Sequence, residues 1–147
     1  MSAGKDSDDE AERRTFDAAV ADAQAAVAGL SDKYIGWVND DLKRLDAAIA
    51  KIGDGRNAAA LQAVYDVSHD IKGQGSTFGY ALVTEIAHRL CRYTDEVSRR
   101  QNVDRAVIDA HVAALRTVVD NRIQGNAGAL GTEILRALEE AARKSLG

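Results

Sequence analysis

His69, Lys72 and Gly73 place an imidazole, an ammonium and a bare stretch of backbone within one helical turn of each other. On a helix advancing 100° per residue, positions three and four apart are neighbours. The apolar positions Leu61, Val64, Val67, Ile71 and Phe78 set the inward stripe, and His69 falls about 140° from its centre. Gln62, Tyr65, Asp66 and Ser76 extend the same outward strip. An exposed neutral imidazole is a nucleophile, and near neutral pH much of it is neutral. A phosphoryl group on that ring would add nearly two negative charges, which an amine three residues on can offset. Glycine at the fourth position removes the side chain that would obstruct a partner bringing phosphate in line with the ring. Nothing in this scheme needs a cleft or an internal cofactor, because a partner can supply Mg²⁺ and the acidic groups that hold it. Taken alone, a surface histidine is usually incidental and a surface lysine is a solvated charge. Gly73 and Gly75 are harder to dismiss, since glycine inside a helix costs about 1 kcal/mol relative to alanine.

The elements that must carry these residues are helical throughout. The chain has 147 residues, 27 of them alanine and none proline, so the commonest helix breaker is missing. Ser7 and Glu10 have the spacing of a capping box, ahead of a stripe at Phe16, Val20, Ala23, Val27 and Leu30. Ser31 reads as a second N-cap before Ile35, Val38, Leu42, Leu45, Ile49 and Ile52. Gly53-Asp54-Gly55 turns the chain, Asn57 caps the next helix, Gly79 punctuates again, and Gln101-Asn102 marks a further break. Three glycines between Gly125 and Gly131 read as a linker to a last helix bearing Ile134, Leu135 and Leu138. Short connections between long amphipathic helices predict an all-α, up-down antiparallel four-helix bundle, with helices near 31–52, 57–78, 80–100 and 103–123. An additional N-terminal helix near 8–30 and a short C-terminal helix near 132–146 complete a single expected domain over 1–147.

Composition removes several function classes. Nineteen basic against 23 acidic residues give a net charge of −4, and only 5% of residues are aromatic. Nucleic acid and anionic membrane are therefore poor partners. No apolar run approaches the roughly 18 residues of a membrane span, and Met1 to Arg14 lacks the apolar segment of a secretory signal. The expectation is a cytoplasmic protein. A single cysteine, Cys91, and three histidines without ligand spacing predict no metal site. There is no phosphate-binding loop, dinucleotide turn or nucleophile elbow, and no room for an ATP-binding kinase domain beside the bundle. His88 and His111 read as surface or boundary residues. Trp37 lies off the apolar stripe and reads equally as a boundary core residue or part of a docking patch near the level of His69.

His69, Lys72, Gly73, Phe78 and Gly79 together resemble the pattern of the histidine-containing phosphotransfer (HPt) family of bacterial two-component phosphorelays. The resemblance implies that His69 accepts a phosphoryl group from a receiver-domain aspartate or a sensor histidine kinase and passes it to another response-regulator receiver. It gives Lys72 the role of offsetting charge and Gly73 that of clearing the approach. Ser76-Thr77-Phe78-Gly79-Tyr80 followed by His88 also resembles the phosphotransfer domain of chemotaxis histidine kinases, with His88 near His69. Cys91 stands where those domains usually carry a glutamate that bonds the phosphorylated ring. As a weak acceptor, a thiol would orient the imidazole less firmly, which favours exchange with receivers. A monomer is expected over a dimer. The competing readings are a non-catalytic helical adaptor acting through its first or last helix, and a dimeric kinase-docking phosphotransfer module.

Overall fold

The computed structural model describes residues 3–53, 57–100 and 102–147, with side chains from residue 6 onward. The expected turn residues Asp54 and Gly55, and Gln101 of the expected break, lie outside the described residues. Five α-helices follow in order: α1 (Ala3–Ala50), α2 (Ala58–Gly75), α3 (Ala81–Arg100), α4 (Arg105–Asp120) and α5 (Gly128–Leu146). A single 3₁₀ turn, Ser76–Phe78, follows α2. The described residues contain no strand, and no helix among them is long and apolar enough to cross a membrane. Two compact units divide the chain, residues 1–34 and 35–147.

Two boundaries differ from the sequence expectation. The first two predicted helices are one, α1, running 48 residues without a break, so neither Ser7 nor Ser31 is an N-cap. An N-cap needs non-helical backbone at the cap residue, and the alanine-rich run from Ala18 to Ala28 propagates helix too well for Ser31 to interrupt it. The last helix is not short. It spans 19 residues and starts at Gly128, inside the expected linker. The connection narrows to 121–127, with Asn126 Oδ1 accepting from the Gly128 amide at 3.0 Å. Gly131 is a packing residue of the first turn of α5, where a Cβ would come within 1.9 Å of the Asn126 carbonyl.

Within the 35–147 unit the core is aliphatic and follows the predicted stripes. Val38, Leu42, Leu45, Ile49 and Ile52 are buried, with Leu61, Val64, Val67 and Ile71 from α2 and Leu82, Val83, Ile86, Leu90 and Val97 from α3. Asn57 caps α2 as expected, accepting from the Ala60 amide at 3.1 Å. Contacts also set directions. Arg44 pairs with Asp70 at 3.6 Å and Trp37 meets Phe78 at 5.5 Å, so α1 and α2 run antiparallel. Thr84 bonds the Lys72 carbonyl and Cys91 the Tyr65 carbonyl, so α2 and α3 do as well. Arg116 pairs with Asp46, tying α4 to α1. The Gly125 amide donates to the Gly79 carbonyl at 2.7 Å, and the Leu82 amide donates to Gly125, pinning the α4–α5 connection on the α2–α3 turn. The α5 helix lies on α3 and α4, through Arg89–Glu139 at 2.8 Å and Tyr93–Ser145 at 2.6 Å.

His111 is wholly buried, not at the boundary where its spacing placed it. Its ring stacks on Tyr93 at 6.4 Å, and Nδ1 donates to the Val107 carbonyl at 2.7 Å. That bond requires the proton on Nδ1 of the neutral ring, so Nε2 is an acceptor, and it has no hydrogen-bond partner among the described residues. Burial, aided by the charge of Arg89, lowers the His111 pKa below its usual 6.5, against the pull of the Val107 carbonyl. The unfolded chain therefore binds more protons than the folded one as pH drops below 6.5. Through this linkage the fold has its full stability above that pH and loses some as pH falls towards the depressed folded value of His111. In thermal unfolding between about pH 7 and about pH 5, His111→Phe is expected to show a flatter fall in Tm than the parent chain, because its ring can gain no proton.

Candidate functional site

The outward face of α2 is built by contrast with its inward one. Val64, Val67, Ser68 and Ile71 are buried, and Ser68 returns its hydroxyl to the Val64 carbonyl at 2.7 Å, so a polar side chain sits inside at no unsatisfied cost. On the opposite side His69 is exposed, as are Gln62, Asp66, Gly73 and Ser76, while Tyr65 and Lys72 are half-buried. The structure therefore brings these seven residues onto one strip. Tyr65 stacks along the His69 imidazole, with centroids 6.2 Å apart and planes 25° from parallel. Gln62 donates to Asp66 at 2.9 Å one turn before the histidine. Asp70, beside His69, is engaged by Arg44 of α1, which leaves Lys72 as the cation on the histidine's own strip.

The two helical glycines do different work. A Cβ on Gly73 would meet nothing within 4 Å, so no contact among the described residues explains a glycine there. A Cβ on Gly75 would come within 2.5 Å of the Thr84 hydroxyl and 2.9 Å of the Thr84 amide nitrogen. Gly75 is where α2 and α3 touch backbone to backbone. The Thr84 hydroxyl fills the junction, donating to the Lys72 carbonyl at 2.9 Å and accepting from the Ser76 amide at 2.8 Å. The chain then reverses through Gly79, whose φ of +89° is left-handed and suits glycine. Thr84 carried no sequence signal of its own, since a threonine in a helix is ordinary until its partners are known.

His88 is half-buried on α3, and its Nδ1 has no hydrogen-bond partner among the described residues. Burial first, then the charges of Lys72 and Arg92, lower its pKa, with Glu85 opposing. His88 thus lies within electrostatic reach of Lys72, but no hydrogen bond joins it to His69 among the described residues. Cys91 turns inward. Its thiol donates to the Tyr65 carbonyl at 3.7 Å, and burial pushes its pKa up to about 11. It stands at the level of Tyr65, one turn before the histidine, and serves as a link between α2 and α3 instead of an acceptor for the ring.

Trp37 is 45% exposed, which places it at the surface. It does not share the level of His69. The Arg44–Asp70 pair takes that level, and Trp37 lies farther along α2, edge-on to Phe78. Trp37, Asp40, Asp41, Gln74 and Phe78 line a shallow groove of about 470 Å³. No group of three His, Cys, Asp or Glu residues able to hold a metal occurs among the described residues.

This geometry meets a family pattern. The model of the Hpt domain matches residues 29–125, two thirds of the chain. The chain belongs to the Hpt family of histidine phosphotransfer domains, which act in phosphorelays with receiver domains and histidine kinases. No curated protein and no solved structure matches it. The match begins just before Leu30 and ends at Gly125, so it leaves most of the 1–34 unit and all of α5 outside.

The glycine contrast predicts opposite effects on stability. Gly73→Ala adds a side chain in open space and gains helix propensity, which should raise stability by up to about 1 kcal/mol. Gly75→Ala forces the Thr84 bridge apart and should cost about 1–3 kcal/mol. Urea unfolding of both variants measures the difference.

Proposed function

We propose that this protein is a phosphorelay intermediate in which His69 Nε2 carries the phosphoryl group between other proteins. The neutral imidazole attacks phosphorus in line. The N–P bond forms as the P–O bond to a receiver's aspartyl carboxylate breaks, and the electron pair leaves with that carboxylate. Return to a second receiver reverses the step, and a kinase is the other possible donor. The observation that carries this reading is an exposed imidazole followed one turn on by open backbone at Gly73, with Lys72 between them.

Each neighbour has a physical part. The Lys72 ammonium offsets the charge that arrives on the ring, and its backbone is held by Thr84. Tyr65 limits the swing of the imidazole by lying along its face. Gln62, Asp66, Gly73 and Ser76 form the polar docking strip, with Trp37 and Phe78 as an apolar edge where an aromatic can anchor a partner. His88, on the Lys72 side and kept neutral by burial and nearby cations, adds little positive charge of its own. Mg²⁺ belongs to the receiver's acidic site, and this chain needs no cofactor. The antiparallel pairing of α1 with α2 and of α2 with α3 supports an up-down four-helix core beneath the strip. The net charge of −4 and the lack of a membrane-crossing helix among the described residues fit a partnership with other proteins in the cytoplasm.

Incubation with a receiver carrying labelled aspartyl phosphate should transfer acid-labile label to the protein, and His69→Gln should abolish it. Lys72→Ala should retain transfer at a rate lower by about 10-fold. Gly73→Arg, whose Cβ meets nothing within 4 Å, should slow transfer by at least about 10-fold by obstructing the partner, with circular dichroism checking that the helices persist. Undiminished label in His69→Gln would refute the assignment.

A further inference from the structure

The 1–34 unit carries a row of large apolar side chains that nothing in the described structure covers. Phe16 is 68% exposed, Val20 39%, Val27 65% and Leu30 45%. With Ala23 they recur at intervals of four, three, four and three, the seam of a coiled coil, with valines at the a positions and Phe16, Ala23 and Leu30 at d. An isolated helix gains little stability in water, and a regular seam is stabilised by a second helix packed along it.

We propose that this seam is a dimerisation surface that takes a second copy of the chain in antiparallel register. Size and charge select the occupant. Setting Val20 against Ala23 of the second copy also sets Phe16 against its Val27, so large residues meet smaller ones in every central layer. The same register places Glu12 opposite Lys33 of the second copy, and symmetry repeats the pair. Ala19 then faces Ala26, letting the backbones approach closely, and Asp17 faces Gln24. No like charges meet along these flanks. A parallel pairing instead brings Glu12 against Asp17 twice and sets the run Asp6, Asp8, Asp9 and Glu10 beside its own copy. Glu12 and Lys33 are both exposed, and no ion pair within the described chain engages either. The paired stretch from Arg13 to Leu30 is about 27 Å long at 1.5 Å per residue.

This surface is independent of the phosphotransfer reading, because assembly is measured without phosphate. Sedimentation equilibrium of the full chain over a micromolar range should give a mass about twice 15.7 kDa. Val20→Asp with Val27→Asp buries charge in the seam and should weaken association by at least about 100-fold. Glu12→Lys alone and Lys33→Glu alone should each weaken it by about 10-fold, and the two together should return it to within about threefold of the parent. Circular dichroism of each variant checks that the helices persist. A chain that is monomeric throughout overturns the proposal, as does a dimer indifferent to the paired aspartates. Tightening by Glu12→Lys overturns the antiparallel register, since only a parallel pair would be relieved of its Glu12–Asp17 repulsion.

Discussion

The close approach of α2 to α3 at Gly75 is the constraint on which the site depends. Two helix backbones meet where no Cβ fits, and a single hydroxyl, from Thr84, satisfies a carbonyl on one side and an amide on the other. Helix ends leave backbone groups without intrahelical partners, and here the neighbouring helix supplies one. The rotation of α2 about its own axis is thereby set. Ser68 and Ile71 must face inward, and His69, Lys72 and Gly73 must face out. A helix free to roll would expose its apolar stripe as readily as its imidazole.

The proposed chemistry is economical in machinery. A nucleophilic ring on an exposed helix face would need neither pocket nor metal of its own if the partner brought both the phosphoryl group and its divalent cation. On the proposed reading the chain keeps three things in place: an unobstructed line of approach over Gly73, a cation one turn along the helix, and a ring that does not tumble freely. Cys91 illustrates the division of labour. Its thiol, held protonated by burial, is spent on the Tyr65 carbonyl and keeps α2 and α3 in register. The ring is steadied from its own helix instead, by Tyr65.

Buried polar groups elsewhere in the 35–147 unit follow the same economy. Ser68 and Thr94 return their hydroxyls to carbonyls four residues back, at 2.7 Å each, so neither disturbs the aliphatic core. His111 departs from it, as do His88 Nδ1 and Arg105 Nε: one nitrogen of His111 is satisfied and the other is buried without a partner among the described residues. Such a group costs stability whichever way it is protonated, and its stacking on Tyr93 ties it to the residue whose hydroxyl also meets Ser145 of α5 and the Asp104 amide. Tyr93 is thus one residue that touches both neighbours at the junction of α3, α4 and α5.

Much of this was written in the order of the residues. The spacing of Val38, Leu42, Leu45 and Ile49, and of Leu61, Val64, Val67 and Ile71, determined which faces are buried, because a helix has one period and a core accepts one stripe. The same period put His69, Lys72 and Gly73 outside, and the motif they make announced the family. Helix ends were less legible. Ser31 has the chemistry of a cap but no broken backbone to cap, and Gly128 and Gly131 look like a linker until a close contact at Asn126 explains the second of them. Offsets between helices were not legible at all. Only packing could decide that Arg44 and not Trp37 stands level with His69, that Cys91 faces Tyr65, and that His111 is sealed inside. Those outcomes depend on how far one helix slides along another, and contacts between residues distant in sequence set that distance.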